Sequence, residues 1–157
     1  MAVFESKLDV RSEAYAKNYA DQLEKLAHLR SLEQRAVDAS ERRRARFEER
    51  GQLTPRDRLA QLLDPGMPFL TLYNMASYCV DDPNRETSVP GGSVLAGIGY
   101  VSGVRVMIVV DDSGINAGAA TEMGFRKSLE VMRIALKNKL PFIHLVESGS
   151  HLCRLFL

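Results

Sequence analysis

The run GIGYVSGVRVMIVVDDSGINAGAA, from Gly97 to Ala120, decides how this chain is built. Two apolar segments, Val94 to Val101 and Val104 to Val110, flank Ser102-Gly103, and a two-residue connection of that kind suits a tight β-hairpin. Val94 to Tyr100 alternates large with small residues, and glycine inside a strand marks a place where another backbone or a helix packs closely. The second segment ends in two carboxylates, Asp111 and Asp112, which lead into a loop of Gly, Ala, Ser and Asn. Some thirty residues on, another apolar strand, Phe142 to Val146, ends the same way in Glu147-Ser148-Gly149-Ser150. Small residues at a strand end let backbone N–H groups approach a ligand unobstructed. Two such ends point to a site built from backbone amides that steadies a developing oxyanion; the same composition also fits close strand-to-helix packing with no ligand.

Between the two strand ends, Glu122 to Asn138 reads as a helix, with Phe125, Leu129, Met132, Ala135 and Leu136 on one face. Leu140-Pro141 closes it. Upstream, Thr54-Pro55-Arg56-Asp57 opens a short helix: Thr as N-cap, Pro in the first turn, and an acid at the positive end of the dipole. Leu59, Leu62 and Leu63 form its buried face, and Asp64-Pro65-Gly66 stops it. Phe69 to Tyr73 reads as a strand. Val80 to Gly92, VDDPNRETSVPGG, is polar, rich in Pro and Gly, and expected to be a flexible loop.

From about Ser12 to Arg50 there is neither Pro nor Gly, and Tyr15, Tyr19, Leu23, Leu26, Leu29 and Leu32 recur at spacings of three or four, the stripe of one long helix. Gly51 ends it. The stretch ERRRARFEER carries Arg42, Arg43, Arg44, Arg46 and Arg50. These arginines form either a solvated or subunit-contacting face paired with Glu41, Glu48 and Glu49, or a patch for the phosphates of a cofactor or RNA; the paired face is the favoured reading.

At 157 residues with 45% hydrophobic side chains, the chain suffices for one domain of ordinary size. A net charge of +1 gives no bulk attraction to nucleic acid. Cys79 and Cys153 have neither metal-ligand nor disulfide-framework spacing, which reads as a reducing, intracellular compartment. No apolar run approaches the roughly 20 residues that span a bilayer. Asp111 and Asp112 are adjacent on a strand and so point to opposite faces, against a shared metal. His28 and His144 read as structural, and His151 beside Cys153 lacks a third group to complete a catalytic set.

RDRLAQLLDPG (Arg56 to Gly66), the hairpin Gly97 to Asp112, the small-residue loop and EVMRIALKNKLPFIHLVES (Glu130 to Ser148) together resemble, in order and spacing, the carboxyltransferase (beta) subunit of biotin-dependent acyl-CoA carboxylases, the propionyl-, acetyl-, methylcrotonyl- and geranyl-CoA enzymes. The likeness runs from about Leu32 to Ser148. It implies an α/β chain with part of a crotonase-like ββα spiral: a helical extension over 1–51, then the first part of the carboxyltransferase N-terminal domain over 52–157. It implies transfer of a carboxyl group from carboxybiotin to the α-carbon of an acyl-CoA, as the carboxyltransferase component of a ligase.

The resemblance also implies residue roles. The family's strand end D/E-S-G-G-A matches Glu147-Ser148-Gly149, with Ser150 where a small residue is expected, so the backbone N–H groups of Gly149 and Ser150 are the implied oxyanion donors. The family's loop, D-F-T-V-x-G-G-S or D-A-T-V-x-G-G-T, matches at Asp112, Ile115 and Gly118, while Ala117 replaces a glycine and Gly114 a threonine. Ala117, Gly118 and Ala119, with Arg56 and Arg58, are the implied substrate contacts, the two arginines facing either an acyl-CoA or a structural carboxylate. Biotin arrives on a separate carrier protein or domain, and no metal is expected. The implied partners are the acyl-CoA, a biotin carboxylase or biotin carrier subunit, and, at full length, further copies of the chain, with neither nucleic acid nor membrane. The location is cytoplasmic, or the mitochondrial matrix in a eukaryote. His151 to Leu157 departs from the family's continuation and reads as the tail of a truncated or frameshifted frame, so the chain alone is expected to be inactive. PFLTL leans toward the methylcrotonyl or geranyl branch. Two other readings of the residues stay open: a non-catalytic module whose long helix docks a partner, and a basic RNA-binding helix on a small α/β domain.

Overall fold

The computed structural model describes residues 6–116, 119 and 121–147. Ser102 and Gly103 both take positive φ, 52° and 76°, the paired left-handed geometry whose twist matches that of a tight hairpin. Both turn amides donate to the carboxylate of Asp64, each at 2.7 Å, so a side chain from outside the hairpin caps its tip. The strands it joins are β2 (Val94–Val101) and β3 (Val104–Asp111), antiparallel from Val101↔Val104 to Val94↔Asp111. On the outer side of β2 lies β1 (Leu70–Thr71), and on the other side of β3 lies β4 (Phe142–Leu145), parallel to it from Met107↔Phe142 to Val110↔Leu145. The sheet order is β1-β2-β3-β4.

Strand period two divides the core. Val106, Ile108 and Val110 pack with Leu59 of helix α3 (Pro55–Leu62), and Leu62, Leu63, Phe69 and Leu95 lie against them half-buried. Met107 and Val109 pack with Ala96 of β2 and with Val131 and Ala135 of helix α4 (Glu122–Lys137). The sheet is therefore covered by α3 on one face and α4 on the other. The glycines of β2 serve the first face. A Cβ on Gly97 would stand 2.5 Å from the Leu70 carbonyl oxygen, and one on Gly99 2.4 Å from Leu63. Thr54 Oγ1 caps α3, accepting from Asp57 N at 3.1 Å.

Four expectations are corrected. The long N-terminal helix is not continuous: α1 covers Glu13–Glu41, the helix breaks at Arg42 and Arg43, and α2 covers Arg44–Glu48. The redirected chain buries Phe47 and lets Arg44 reach the carboxylates of Glu41 and Asp57. Gly51 then ends it at φ 64°, as expected. The strand expected over Phe69 to Tyr73 shortens to two residues, because Tyr73 turns to φ 52°. On α4 the buried face is Gly124, Lys127, Val131 and Ala135, whereas Phe125, Leu129, Met132 and Leu136 are exposed. Small residues let the helix come close: a Cβ on Gly124 would lie 2.6 Å from the carbonyl oxygen of Gly92. The polar loop is stitched rather than loose, with buried Ser88 accepting from Cys79 N and Asp82 accepting from Thr87.

Two compact units divide the chain, residues 1–32 and 33–157. In the first, Tyr15 and Tyr19 stack at 6.1 Å, and Tyr19, Leu23, Leu26 and Leu29 of the expected stripe are exposed. Among the described residues no helix is long and apolar enough to cross a membrane.

Candidate active site

Because β3 and β4 run parallel, their C-terminal ends lie side by side, with Asp111 and Asp112 at the end of one and Glu147 two residues past the other. Asp111 and Asp112 point apart, as their adjacency on a strand requires. Asp112 is 1% exposed and faces the α3 side. Its Oδ1 accepts from Ser40 Oγ at 2.7 Å and from Gly114 N at 3.1 Å. Arg56 Nη2 stands 3.8 Å from Oδ2, which has no hydrogen-bond partner among the described residues. Burial raises the Asp112 pKa above the usual carboxylate range, against the opposing pull of the Ser40 hydroxyl and Arg56.

Gly114 explains one departure from the family's loop. A Cβ there would meet Ser40 Oγ at 2.7 Å and Ser40 Cα at 2.9 Å. The glycine is thus what lets α1 approach and its serine reach Asp112. The left-handed residue of the loop within the described part is Asn116, φ 48°, a residue type that tolerates it.

Asp111 is turned the other way. Its Oδ1 lies 3.0 Å from His144 Nε2, and its Oδ2 accepts from Glu147 N at 3.1 Å. The Glu147 carboxylate pairs with Arg58 of α3. The two arginines of α3 therefore serve the two strand ends separately: Arg56 faces Asp112 after β3, and Arg58 holds Glu147 after β4. Both arginines thus contact carboxylates of the protein itself.

A cavity of about 270 Å3 lies beside Asp112, lined among others by Arg56, Leu59, Phe69, Asn74 and Lys127. Lys127 is 4% exposed and donates to the carbonyl oxygens of Val94 (2.5 Å) and Gly91 (3.2 Å). Burial, with a lesser push from Arg56, lowers its pKa to about 8. Neither Lys127 nor Ser40 was singled out in the sequence, since a lone lysine on a charged helix and a serine before an arginine run carry no local signal.

Among the other expected site residues, Ala119 is within the described part, its carbonyl oxygen accepting from Ser93 Oγ at 3.2 Å. Ala117, Gly118, Gly149 and Ser150 lie outside the described residues. No group of His, Cys, Asp and Glu suited to a metal occurs among the described residues. His28 lies exposed on α1, and the arginine run is paired in part, Arg44 with Glu41 and Asp57.

Residues 46–153 match the family model of the carboxyl transferase domain. The beta1 subunit of the biotin-dependent 3-methylcrotonyl-coenzyme A carboxylase of Mycobacterium tuberculosis is 39% identical over 87% of this chain and 25% of its own length. The beta subunit of P. aeruginosa geranyl-CoA carboxylase superposes with a TM-score of 0.84 at 42% identity, over 94% of this chain and 27% of that one. Transcarboxylase 12S, solved as a hexamer with methylmalonyl-coenzyme A and methylmalonic acid bound, superposes at 0.67 with 28% identity, over 83% of this chain and 25% of that one. The chain spans about a quarter of the length of these relatives.

Proposed function

The chain belongs to the carboxyl transferase domain family, and from that membership we propose that it forms the first part of a beta subunit that moves a carboxyl group from carboxybiotin to the α-carbon of an acyl-CoA. The observation that supports the reading is the pair of adjacent parallel strand ends at one end of the sheet, Asp111-Asp112 after β3 and Glu147 after β4, each tied to α3. The chain shares the crotonase-like fold of its solved relatives among the carboxyltransferases.

Loss of the carboxyl group leaves negative charge on the ureido oxygen of biotin, and proton removal leaves it on the thioester oxygen of the acyl-CoA. Each oxyanion calls for donors already aimed at it, because donors that must reorient surrender part of their electrostatic advantage. In this reading the N–H groups of Gly149 and Ser150 are such donors, and Ala117, Gly118 and Ala119 border the acyl-CoA. Biotin comes on a partner carrier and supplies the carboxyl group; this chain's residues bind, orient and exclude water. Arg56 and Arg58, which pair with Asp112 and Glu147, are also proposed to border the acyl-CoA. The ligase assignment, the oligomeric full-length state and an intracellular location follow the same reading.

The chain alone is expected to show no turnover with carboxybiotin and an acyl-CoA. Its residues 33–150 grafted in place of the matched segment of the geranyl-CoA carboxylase beta subunit are expected to support it. Turnover by the isolated chain, or none by a folded graft, would overturn the proposal.

A further inference from the structure

We propose that a cavity between the end of α1, the loop 81–93 and the residues after β3 is a binding site for a phosphoryl group. The site stands apart from the carboxyl-transfer reading; only the assignment of that group to an acyl-CoA rests on it. The cavity holds about 630 Å3 and is lined by Arg42, Arg43, Gly92, Ser93 and Asn116, among others. On an unbroken helix neighbouring side chains stand about 100° apart. The break after Glu41 lets both arginines line one cavity, while Arg44 turns to Glu41 and Asp57. Among the described residues neither Arg42 nor Arg43 forms an ion pair. Arg42 Nε donates to the Asp38 carbonyl oxygen at 3.3 Å, which leaves both its Nη atoms. Asp82, also on the wall, is committed to its own loop: Oδ1 accepts from Asn84 N at 2.9 Å and Oδ2 from Thr87 Oγ1 at 2.6 Å. Asp81 beside it is exposed, so solvent screens its charge.

The backbone supplies the remaining donors. Gly91, Gly92 and Ser93 hold successive positive φ values of 99°, 62° and 51°, and consecutive amides in a turn of this kind form an anion-binding concavity. The Gly91 amide donates to the Ala76 carbonyl oxygen and the Val94 amide to that of Gly91. Those of Gly92 and Ser93, both buried, donate to no acceptor among the described residues. Buried amides are almost always paired. Two adjacent ones on the wall of a cavity that also carries two guanidinium groups point to an anion with several acceptor oxygens. A phosphoryl group offers three, in a geometry that suits the guanidinium fork. A nucleic-acid track would need an extended basic face, which a net charge of +1 does not provide. An acyl-CoA carries phosphate groups, and Gly114 and Asn116 on the same wall follow the strand end at Asp112, beside the chemistry proposed above.

The full chain, isotope-labelled, is titrated with inorganic pyrophosphate and with CoA in phosphate-free buffer. The amide signals of Gly92 and Ser93 should shift with both, and the affinity should fall as sodium chloride is raised. Arg42→Met combined with Arg43→Met should weaken pyrophosphate binding at least about tenfold. Arg46→Met combined with Arg50→Met removes the same charge from side chains outside the cavity and should weaken it less than about twofold. Shifts with pyrophosphate but none with CoA keep the phosphoryl site and assign it to a free phosphate rather than to an acyl-CoA. Absence of shifts at Gly92 and Ser93 with pyrophosphate, equal losses in the two double variants, or tighter binding of single-stranded RNA than of pyrophosphate overturns the proposal. Turnover by the grafted beta subunit judges carboxyl transfer separately, since pyrophosphate binding by this chain does not depend on it.

Discussion

Lys127 shows how a single residue ties electrostatics to packing in this chain. Its ammonium is buried, yet two carbonyl oxygens from the start of β2 accept its protons, so the charge is solvated by backbone. The folded pKa of about 8 lies below the ordinary lysine value of 10.5. Between those two values the unfolded chain binds the proton more tightly than the folded one, so folding stability rises with pH across that window, by up to about 3 kcal/mol if the whole shift is expressed. Below pH 8 both states are protonated and the dependence vanishes. Denaturant titrations at pH 7.5 and 10 are expected to show the gain, and Lys127→Met should remove it; equal slopes for parent and variant would contradict the account. Asp57 acts in the opposite sense from Asp112: hydrogen bonding to Arg44 lowers its pKa, so what it contributes is present above the unfolded carboxylate value and is lost as pH falls through the folded one.

At the scale of elements, the hairpin and its glycines carry the most specific consequence. Gly97→Ala would drive a Cβ into the Leu70 carbonyl and the Phe69 ring, and overpacking of this kind costs about 1–3 kcal/mol. The expected result is a lowered denaturation midpoint with loss of the β1 pairing, seen as exposure of the Leu72 amide that now donates to Ala96; a variant as stable as the parent would show that β1 yields freely. Much of this was legible in the sequence because it is local. Ser102-Gly103 chose the turn, Thr54-Pro55-Asp57 chose the start of α3, and the alternation of β2 announced a close neighbour. The break in α1 was not legible, since it serves the burial of Phe47 and the reach of Arg44 to Asp57, thirteen residues away. The buried face of α4 was misread for a related reason. Periodicity located an apolar stripe, but the sheet takes the stripe of small residues and Lys127, whose partners lie over thirty residues earlier in the chain. At the site, the paired strand ends were readable, while the Arg56–Asp112 and Arg58–Glu147 assignments needed the fold to bring distant residues together.

Across the whole molecule, the sheet brings two strand ends to one end, α3 anchors both, and the proposed function places its chemistry there. The proposed carboxyl transfer converges on the backbone after Glu147. A backbone donor cannot be removed by shortening a side chain, so the informative change is Gly149→Pro in the grafted beta subunit, which deletes one N–H and fixes φ near −65°. With folding checked by circular dichroism, turnover from carboxybiotin should fall roughly 100- to 1000-fold, about 3–4 kcal/mol of transition-state stabilisation. Binding of acyl-CoA should change far less, because these bonds strengthen mainly as charge develops. A folded Gly149→Pro enzyme that keeps near-parental turnover would contradict the oxyanion role on which the functional account rests.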